Sequence, residues 1–507
     1  MTSSPMTPKI SDLRTRRITV PGALLTLVVA AGCGGDPEVP AVDGPLALEV
    51  RYPTAAPVAV TDSISLWGTV GTGRARLRVN GRSIRVWPNG AFSAFVPLSP
   101  DPAALELEAR RGDSVIRRVI RVTRTTDSAA PPSPPVRRAS GWVRLRRLPD
   151  DTLDRATQER PIYSRWTPGG DLAVPLPQGV RLPVEAEAGP FVRLGLAKGT
   201  SVWVVREDTE PVASPSAPRL RVGGARLVGV AGGGVVELVA SERLVSQIEV
   251  VDRQARWTLF GAAADPAVVT ASKGLLRRVT IRDLGDGRVV VAATLAETPL
   301  GWRAGWRDGR MRLEVRSPPK VAKGLAGLVV ALDPGHPPLG TTGPTGLRED
   351  SVALAVAIEA ANRLRQLGAK PILTRTGPGP VSLDQRLAVA EAADVQAFVS
   401  IHLNSPGDGR PPTSVDGTRV YWLEPTALPL ARVLRDSVAV GLAQVPHGTI
   451  QSNLVVLRAT WFPAALIEAT ALPMPAREAL FRTPEGIAGY AAGIVGGLQA
   501  WVEGWRK

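Results

Sequence analysis

The chain has 507 residues, a formal net charge of +15 at pH 7 and one cysteine, Cys33. Its length exceeds what one core usually supports, so we expect three to five domains. The lone cysteine excludes an intrachain disulfide. The basic residues are scattered, with no long run. This argues against nucleic-acid recognition and favours affinity for anionic polymers or surfaces, although an arginine-rich proteome would explain the charge equally well.

The first 33 residues have the pattern of an export signal. Three arginines between positions 14 and 17 precede an apolar stretch, residues 18–31, that is short for a bilayer span. Small residues lead to Cys33, and a Gly-, Pro- and Asp-rich tether follows at 34–43. This resembles a bacterial lipoprotein signal, which implies that Cys33 is lipidated and becomes the mature amino terminus. An ordinary secretory signal is the alternative.

Both interpretations place the mature protein outside the cytoplasm. The lipoprotein interpretation anchors it in the cell envelope through a lipid on Cys33, with the chain on the periplasmic face. Gly34 rather than Asp follows the cysteine, which permits transport to the outer membrane in a bacterium with two membranes. The alternative is a secreted protein.

Three proline-rich seams divide the rest of the chain, at residues 126–135, 211–218 and 317–320. Such stretches pack poorly and act as semi-rigid spacers. After a signal at 1–33 and the tether, the predicted domains are 44–125, a linker at 126–139, 140–210, 218–316 and 325–507. We therefore predict a multidomain protein in which all-β modules precede one α/β domain.

Residues 44–125 alternate between apolar and polar side chains. Residues 76–79 and 83–86 flank Asn80-Gly81, a strong signal for a β-hairpin. The segment is similar to a bacterial immunoglobulin-like sandwich. Residues 140–210 resemble a bacterial Src-homology-3-type barrel, and residues 218–316 are similar to the β-rich targeting domain that precedes many periplasmic amidases. A generic β-spacer is the alternative for all three segments.

From residue 325 onward, apolar runs alternate with helical periodicity. The predicted strands include residues 328–336, 371–374, 397–402 and 464–467. Apolar residues at four-residue spacing predict a helix from about Ser351 to a stop at Gly368, and further helices are predicted at 383–393 and 487–502. This alternation indicates one doubly wound α/β domain.

Chemically useful side chains stand where the apolar runs end. His336 and His402 close two runs, Glu468 closes a third, and Glu349 lies on the loop after His336. Ligands of open α/β sheets bind just past the carboxyl ends of the strands. Two histidines and a glutamate around an open position form a hydrolytic zinc site, and a free glutamate beside it is the usual general base. We therefore predict His336, Glu349 and His402 as Zn²⁺ ligands and Glu468 as the base.

Each residue also has a plainer interpretation. A histidine at a strand end is often structural. Glu349 could cap the following helix, and Glu468 could be a buried acid paired with an arginine such as Arg458. The third histidine, His447, lies in a predicted turn at 446–448, where we expect a solvent-exposed or substrate-contacting side chain and not a ligand.

The order of motifs matches the zinc-dependent N-acetylmuramoyl-L-alanine amidases, a family of peptidoglycan hydrolases. The matching stretches are residues 332–336, 346–349, 373–375, 382–386, 400–404, 456–458 and 463–468. The resemblance implies hydrolysis of the amide between the lactyl group of N-acetylmuramic acid and L-alanine. It also implies His336, Glu349 and His402 as zinc ligands and Glu468 as catalytic, with Asn404 as a candidate substrate contact.

The chain departs from the family pattern around the expected metal. Pro337 and Pro338 replace two glycines after the first histidine, which removes two backbone donors. The stretch from His336 to Glu349 is slightly shortened, and Ala469-Thr470 replace the usual Gly-Phe. The segment after His402 is short, which leaves no room for the helical insert that blocks the zinc in some periplasmic relatives.

The leading prediction is therefore a lipid-anchored zinc amidase that acts on peptidoglycan. The alternative is a non-catalytic cell-wall-binding scaffold with a degenerate amidase domain, favoured by Pro337 and Pro338. Retention of both His402 and Glu468 favours the enzyme. The β modules are candidate binding sites for cell-division or envelope partners.

Overall fold

The computed structural model describes residues 37–505, apart from 55–57, 60, 100–102, 125–133, 147–160, 216–219, 319–323, 339 and 408. The predicted signal, Cys33 and most of the predicted linker at 126–139 lie outside the described residues. No helix in the described part of the chain is both long and apolar enough to cross a membrane.

The amino-terminal module contains two sheets that enclose one apolar core. Its strands are β1 (Glu49–Tyr52), β2 (Val58–Ala59), β3 (Ser63–Thr69), β4 (Arg76–Val79), β5 (Arg82–Ile84), β6 (Ala91–Pro97), β7 (Ala104–Arg111), β8 (Ser114–Arg121) and β9 (Thr123–Arg124). The sheets have the orders β1-β3-β6 and β5-β4-β7-β8, and β2 pairs with β9. The predicted hairpin between β4 and β5 is confirmed, with Asn80 and Gly81 both at positive φ, as its two-residue turn requires.

The described part of the predicted tether is packed against the protein. Val39 is buried against Ala476 and Ala479 of the carboxy-terminal domain. Arg111 Nη2 donates to Asp43 Oδ1 at 2.6 Å. Within residues 37–43 of the predicted tether, one apolar side chain and one acid therefore find partners among residues far away in the sequence.

Two further β-rich modules follow. The first is a seven-stranded antiparallel sheet of β10 (Arg137–Leu145), β11 (Ile162–Arg165), β12 (Leu172–Leu176), β13 (Arg181–Ala188), β14 (Phe191–Ala197), β15 (Thr200–Val205) and β16 (Thr209–Val212). The second has two five-stranded sheets, formed by β17 (Leu220–Val230), β18 (Gly233–Ala240), β19 (Ser246–Val251), β20 (Gln254–Phe260), β21 (Ala262–Ala264), β22 (Ala267–Thr270), β23 (Leu276–Asp283), β24 (Arg288–Leu295), β25 (Gly301–Arg307) and β26 (Arg310–Arg316). The prediction of a β-rich amino-terminal part is confirmed.

The carboxy-terminal domain alternates strands and helices, as predicted. Its elements are β27 (Val329–Pro334), α1 (Glu349–Gln366), β28 (Lys370–Leu373), α2 (Leu383–Ala392), β29 (Ala397–Asn404), β30 (Thr418–Trp422), α3 (Leu428–Gly441), β31 (Pro446–Gln451), β32 (Ala464–Ala471), α4 (Pro475–Phe481) and α5 (Pro484–Gly504). The sheet order is β28-β27-β29-β32-β30-β31. The first four strands run parallel, and β30 is antiparallel to β32, so the sheet is mixed.

Helices cover both faces of this sheet. One core contains apolar residues of α1, α3 and α5 together with one face of the strands. A second core on the other face contains residues of α2 and of the 3₁₀ helix Val455–Leu457. This layering is that of a doubly wound domain, and it buries the central strands β27, β29 and β32 from both sides.

Two strands are longer than predicted. β29 continues to Asn404 and β32 to Ala471, so His402 and Glu468 lie within strands and not at their ends. The apolar run ends at each of these residues, but the backbone ladder continues past them, with Asn404 paired to Ala471. The predicted turn around His447 is also wrong, because these residues begin β31.

Candidate metal centre

Three predicted ligands meet beside the carboxyl ends of β27 and β29. Their donor atoms all lie within 4.8 Å of one another. Glu349 Oε1 is 3.1 Å from His336 Nε2 and 3.0 Å from His402 Nδ1. The two imidazole rings stand edge to face with centroids 4.9 Å apart. The structure thus brings together the three residues that were singled out from the sequence.

His336 reaches the cluster through a tight turn after β27. Gly335 lets the backbone of this turn lie close to the His402 ring, because a Cβ at position 335 would lie 2.3 Å from His402 Cε1. His336 itself has φ of 58°, a left-handed conformation that is uncommon for a residue with a side chain. Such a conformation persists only where surrounding contacts hold it.

Two buried arginines supply those contacts. Arg375 Nη2 donates to Gly335 O at 2.8 Å, and Arg386 Nη2 donates to His336 O at 2.8 Å. Arg386 also forms an ion pair with the buried Asp333, with Nη1 2.8 Å from Oδ1. The guanidinium groups therefore fix the backbone of the turn that carries His336. Both arginines lie in stretches that match the family pattern, at 373–375 and 382–386, but the sequence alone predicts no role for them.

Glu349 is the first residue of α1 and is almost fully buried. Its Oε2 accepts a hydrogen bond from the Thr341 amide at 2.9 Å, and its Oε1 accepts one from the Leu403 amide at 3.2 Å. Although burial raises its pKa, the hydrogen bonds and charges of the two imidazoles hold the pKa of Glu349 well below its usual range. The carboxylate faces the histidines, so the alternative in which it only caps α1 does not hold.

His402 lies on β29 with its ring toward Glu349. Burial alone would lower the pKa of His402, but the hydrogen bond and charge of Glu349 outweigh it and raise the pKa. The Tyr490 hydroxyl donates to the backbone oxygen of His402 at 3.1 Å. Glu349 therefore restrains the imidazole, and Tyr490 restrains the backbone that carries it.

Glu468 is the register partner of His402 on the adjacent strand β32. Its Oε2 is buried and has no hydrogen-bond partner among the described residues. Burial raises the pKa of Glu468 to about 8 against the attraction of His402, and the nearby Glu349 carboxylate adds to the shift. Arg458 lies over the Tyr163 ring and donates to Asn453, so the alternative pairing of Glu468 with Arg458 is wrong.

The loop before Glu349 is held by a second buried acid. Glu478 of α4 accepts hydrogen bonds from the amides of Thr345 and Leu347 at 2.9 to 3.0 Å. Glu478 was not predicted, because a single acid in a short helical segment gives no sequence signal for such a role.

The two remaining residues from the sequence lie outside the cluster. Asn404 ends β29, and its Oδ1 accepts a hydrogen bond from the Ser405 amide at 2.9 Å. Its role as a substrate contact stays a prediction. His447 is exposed on β31, away from the three grouped donors, as expected for a residue that is not a ligand.

The donor set fits a divalent cation. The two imidazole nitrogens each lie 3.0 to 3.1 Å from the same carboxylate oxygen, Glu349 Oε1. An unpartnered carboxylate oxygen of Glu468 lies on the neighbouring strand. This combination of nitrogen and oxygen donors is the one that zinc accepts in hydrolytic sites.

Residues 330–500 match the family model described as N-acetylmuramoyl-L-alanine amidase. These residues form a domain of this amidase family. The chain is 28% identical over 223 residues to the probable cell wall amidase LytH of Staphylococcus epidermidis, covering 43% of this chain and 72% of the relative. It is also 29% identical over 222 residues to the N-acetylmuramoyl-L-alanine amidase AmiC of Neisseria meningitidis, covering 34% and 52% of the two chains.

Solved amidase structures align with the same fraction of the chain. The amidase AmiC2 of Nostoc punctiforme is 31% identical, with 35% of this chain and 99% of that chain covered and a TM-score of 0.33. The family match over residues 330–500 and the sequence relatives identify this protein as an N-acetylmuramoyl-L-alanine amidase, a hydrolase of the cell wall. The β modules fall outside the matched residues 330–500.

Proposed function

We propose that this amidase is zinc-dependent and that Glu468 is its general base. Its substrate is the peptidoglycan amide between N-acetylmuramic acid and L-alanine. One observation carries the proposal: a buried carboxylate oxygen without a partner stands beside three converging donors of the kind that bind zinc. An unpartnered buried carboxylate is costly, and catalytic use accounts for that cost.

In this proposal His336, Glu349 and His402 hold the metal. Zinc bound there would lower the pKa of a coordinated water toward neutrality and polarise the scissile carbonyl. Arg375 and Arg386 keep the His336 turn in its left-handed conformation through the Gly335 and His336 carbonyls. The protein thereby fixes the direction from which the first imidazole approaches.

Glu468 moves the proton. Its carboxylate accepts a proton from the attacking water and then donates it to the departing amide nitrogen. A pKa of about 8, raised by burial, suits a group that must act as base and then as acid near neutral pH.

The second candidate function is a cell-wall-binding scaffold that does not cleave. Pro337 and Pro338 favour it, because they remove two backbone donors directly after His336. The chemistry of the cluster is better explained by the enzyme, since a scaffold needs neither the buried, unpartnered Glu468 Oε2 nor the strained turn at His336.

The envelope location and the partners belong to the same proposal. A lipid on Cys33 would anchor the amidase to a membrane, with the outer membrane as the expected destination in a two-membrane bacterium. The modules before residue 325 would act as immunoglobulin-like, Src-homology-3-type and targeting domains that bind the wall or envelope proteins. Their β-rich architecture supports this assignment.

Digestion of purified sacculi by the full-length protein tests the proposal. We expect release of stem peptides that begin with L-alanine, leaving intact lactyl groups on the glycan, as read by mass spectrometry. A chelator should stop the release, and added zinc should restore it. Zinc binding without peptide release would establish the scaffold alternative.

A further inference from the structure

Strand β3 of the amino-terminal module reaches two loops of the carboxy-terminal domain, one before Glu349 and one after the strand that carries His402. We call residues 340–348, which lead into Glu349, the metal loop, and residues 409–417, between β29 and β30, the rim loop. Trp67 Nε1 donates to Thr342 O in the metal loop at 2.9 Å. Ser65 Oγ donates to Arg410 O in the rim loop at 2.6 Å. One strand therefore bonds to both loops.

The burial of these two side chains shows that they form an interface. Ile64 and Leu66 of β3 belong to the core of the amino-terminal module. Alternate residues of a strand point to opposite faces, so Ser65 and Trp67 point out of that core. Both are nevertheless only 3% exposed, because the carboxy-terminal domain covers this outer face.

The indole is held in place from its own module. Tyr52 stacks on Trp67 with ring centroids 4.3 Å apart and planes within 10°. Two flat rings in this arrangement restrict each other's rotation. The N–H of Trp67 is thus presented to the metal loop in a fixed direction by β1 and β3.

The metal loop passes this restraint to a predicted ligand. The amide of Thr341, the neighbour of Thr342, donates to Glu349 Oε2 at 2.9 Å. The Glu349 amide in turn donates to Thr341 O at 3.0 Å. Glu478 holds the other half of the loop through the amides of Thr345 and Leu347. Of these restraints, only the one from Trp67 comes from outside the catalytic domain.

The rim loop is linked to the strand of the proposed base. Near its end, Asp416 accepts hydrogen bonds from Thr470 Oγ1 at 2.6 Å and from Arg477 Nη2 at 3.1 Å. Thr470 lies two residues after Glu468 on β32. Ser65 therefore restrains a loop whose other end is bonded to the strand that carries Glu468.

We propose that Trp67 and Ser65 are positioning residues, and that the amino-terminal module is part of the catalytic unit and not a spacer. By ordering the metal loop, the module sets the orientation of the Glu349 carboxylate and with it the affinity for the metal. This inference rests on the proposed metal site. It places a requirement for activity 275 residues away in the sequence from the loop it serves.

The test uses Trp67→Phe in the full-length protein. Phenylalanine keeps an aromatic ring against Tyr52 but has no N–H donor. The matched control is Trp306→Phe, because Trp306 Nε1 also donates to a backbone carbonyl, Ala240 O at 3.1 Å, within another module. The readouts are the zinc dissociation constant by chelator competition and amide hydrogen exchange of residues 340–348, each with and without zinc.

One neutral hydrogen bond changes an equilibrium by roughly two- to tenfold. We therefore expect Trp67→Phe to raise the zinc dissociation constant by about that factor, and to accelerate exchange of the metal loop in the metal-free protein. Trp306→Phe should change neither. A Trp67→Phe protein with a lower melting temperature but unchanged zinc affinity and loop exchange would overturn the proposal, since Trp67 would then be merely structural.

Two further outcomes are separable. If Trp67→Phe does not fold, Ser65→Ala takes its place, with faster exchange of residues 409–417 expected and unchanged exchange contradicting the inference. If the wild type binds no zinc, the proposed function fails. Exchange of the metal loop in metal-free protein would then still decide whether Trp67 orders it.

Discussion

Replacing Glu468 by glutamine should reduce catalysis while leaving metal binding intact. The substitution keeps the size of the side chain but removes the titrating carboxyl. Because Glu468 is not among the grouped donors, zinc content should stay near one per chain. General-base catalysis contributes roughly 10²- to 10⁴-fold, so peptide release from sacculi should fall by that factor.

The same change should make the metal-free protein less sensitive to pH. Burial raises the pKa of Glu468 from 4.5 to about 8, so the folded state holds a proton that the unfolded chain releases. The stability gained is fully present below the unfolded pKa and is lost as pH rises through the folded pKa. From these two pKa values, the loss between pH 5 and pH 8 is roughly 3 to 4 kcal/mol.

Chemical denaturation of metal-free wild type and Glu468→Gln at several pH values measures this difference. The unfolding free energy of the wild type should fall more steeply from pH 5 to pH 8. The control is Glu424→Gln, because burial also raises the pKa of Glu424, to about 7, beyond the opposite end of the sheet. The Glu424→Gln variant should release peptides from sacculi as fast as the wild type. Equal turnover of Glu468→Gln and wild type would refute the assignment of the base.

Three further outcomes are expected. A fatty-acid probe should label wild-type protein but not Cys33→Ser in cells, and an unlabelled wild type would favour simple secretion. Arg386→Leu should lower the unfolding free energy by about 3 to 5 kcal/mol, because it leaves the buried Asp333 charge unpaired; a loss below about 1 kcal/mol would show that Asp333 finds another partner. If the wild type binds zinc but does not cleave, replacing Pro337 and Pro338 by glycine should restore peptide release. Continued inactivity of that variant would show that the two prolines are not the cause.

The parts of the fold that the sequence predicted well are those with local periodicity. The β4–β5 hairpin follows from Asn80-Gly81, whose positive φ angles few other residues accept. The strand that precedes His336 and the strands that carry His402 and Glu468 follow from largely apolar runs, because a strand covered on both faces has few polar positions.

Strand ends were less predictable, since the apolar run stops where a side chain faces the site. His402 and Glu468 lie inside β29 and β32 for this reason. The backbone continues to pair beyond them, and nothing in the side-chain pattern records it.

Contacts between distant segments left no local signal at all. Arg386 looks like an ordinary helical arginine, yet it is buried beneath the His336 turn. Trp67 alternates with core residues of its own module but bonds to a loop of another domain. Val39 of the predicted tether packs against α4, a contact that its local sequence does not indicate.

Zinc analysis of three purified full-length proteins tests the central claim most directly. We predict about one zinc per chain in the wild type, as expected for a site with three protein ligands. His402→Ala should lose most of the metal, because two ligands bind it far more weakly. His447→Ala should retain it, because this histidine lies outside the cluster. Full zinc retention by His402→Ala, or equal loss from both variants, would contradict the assignment of His336, Glu349 and His402 as the metal centre.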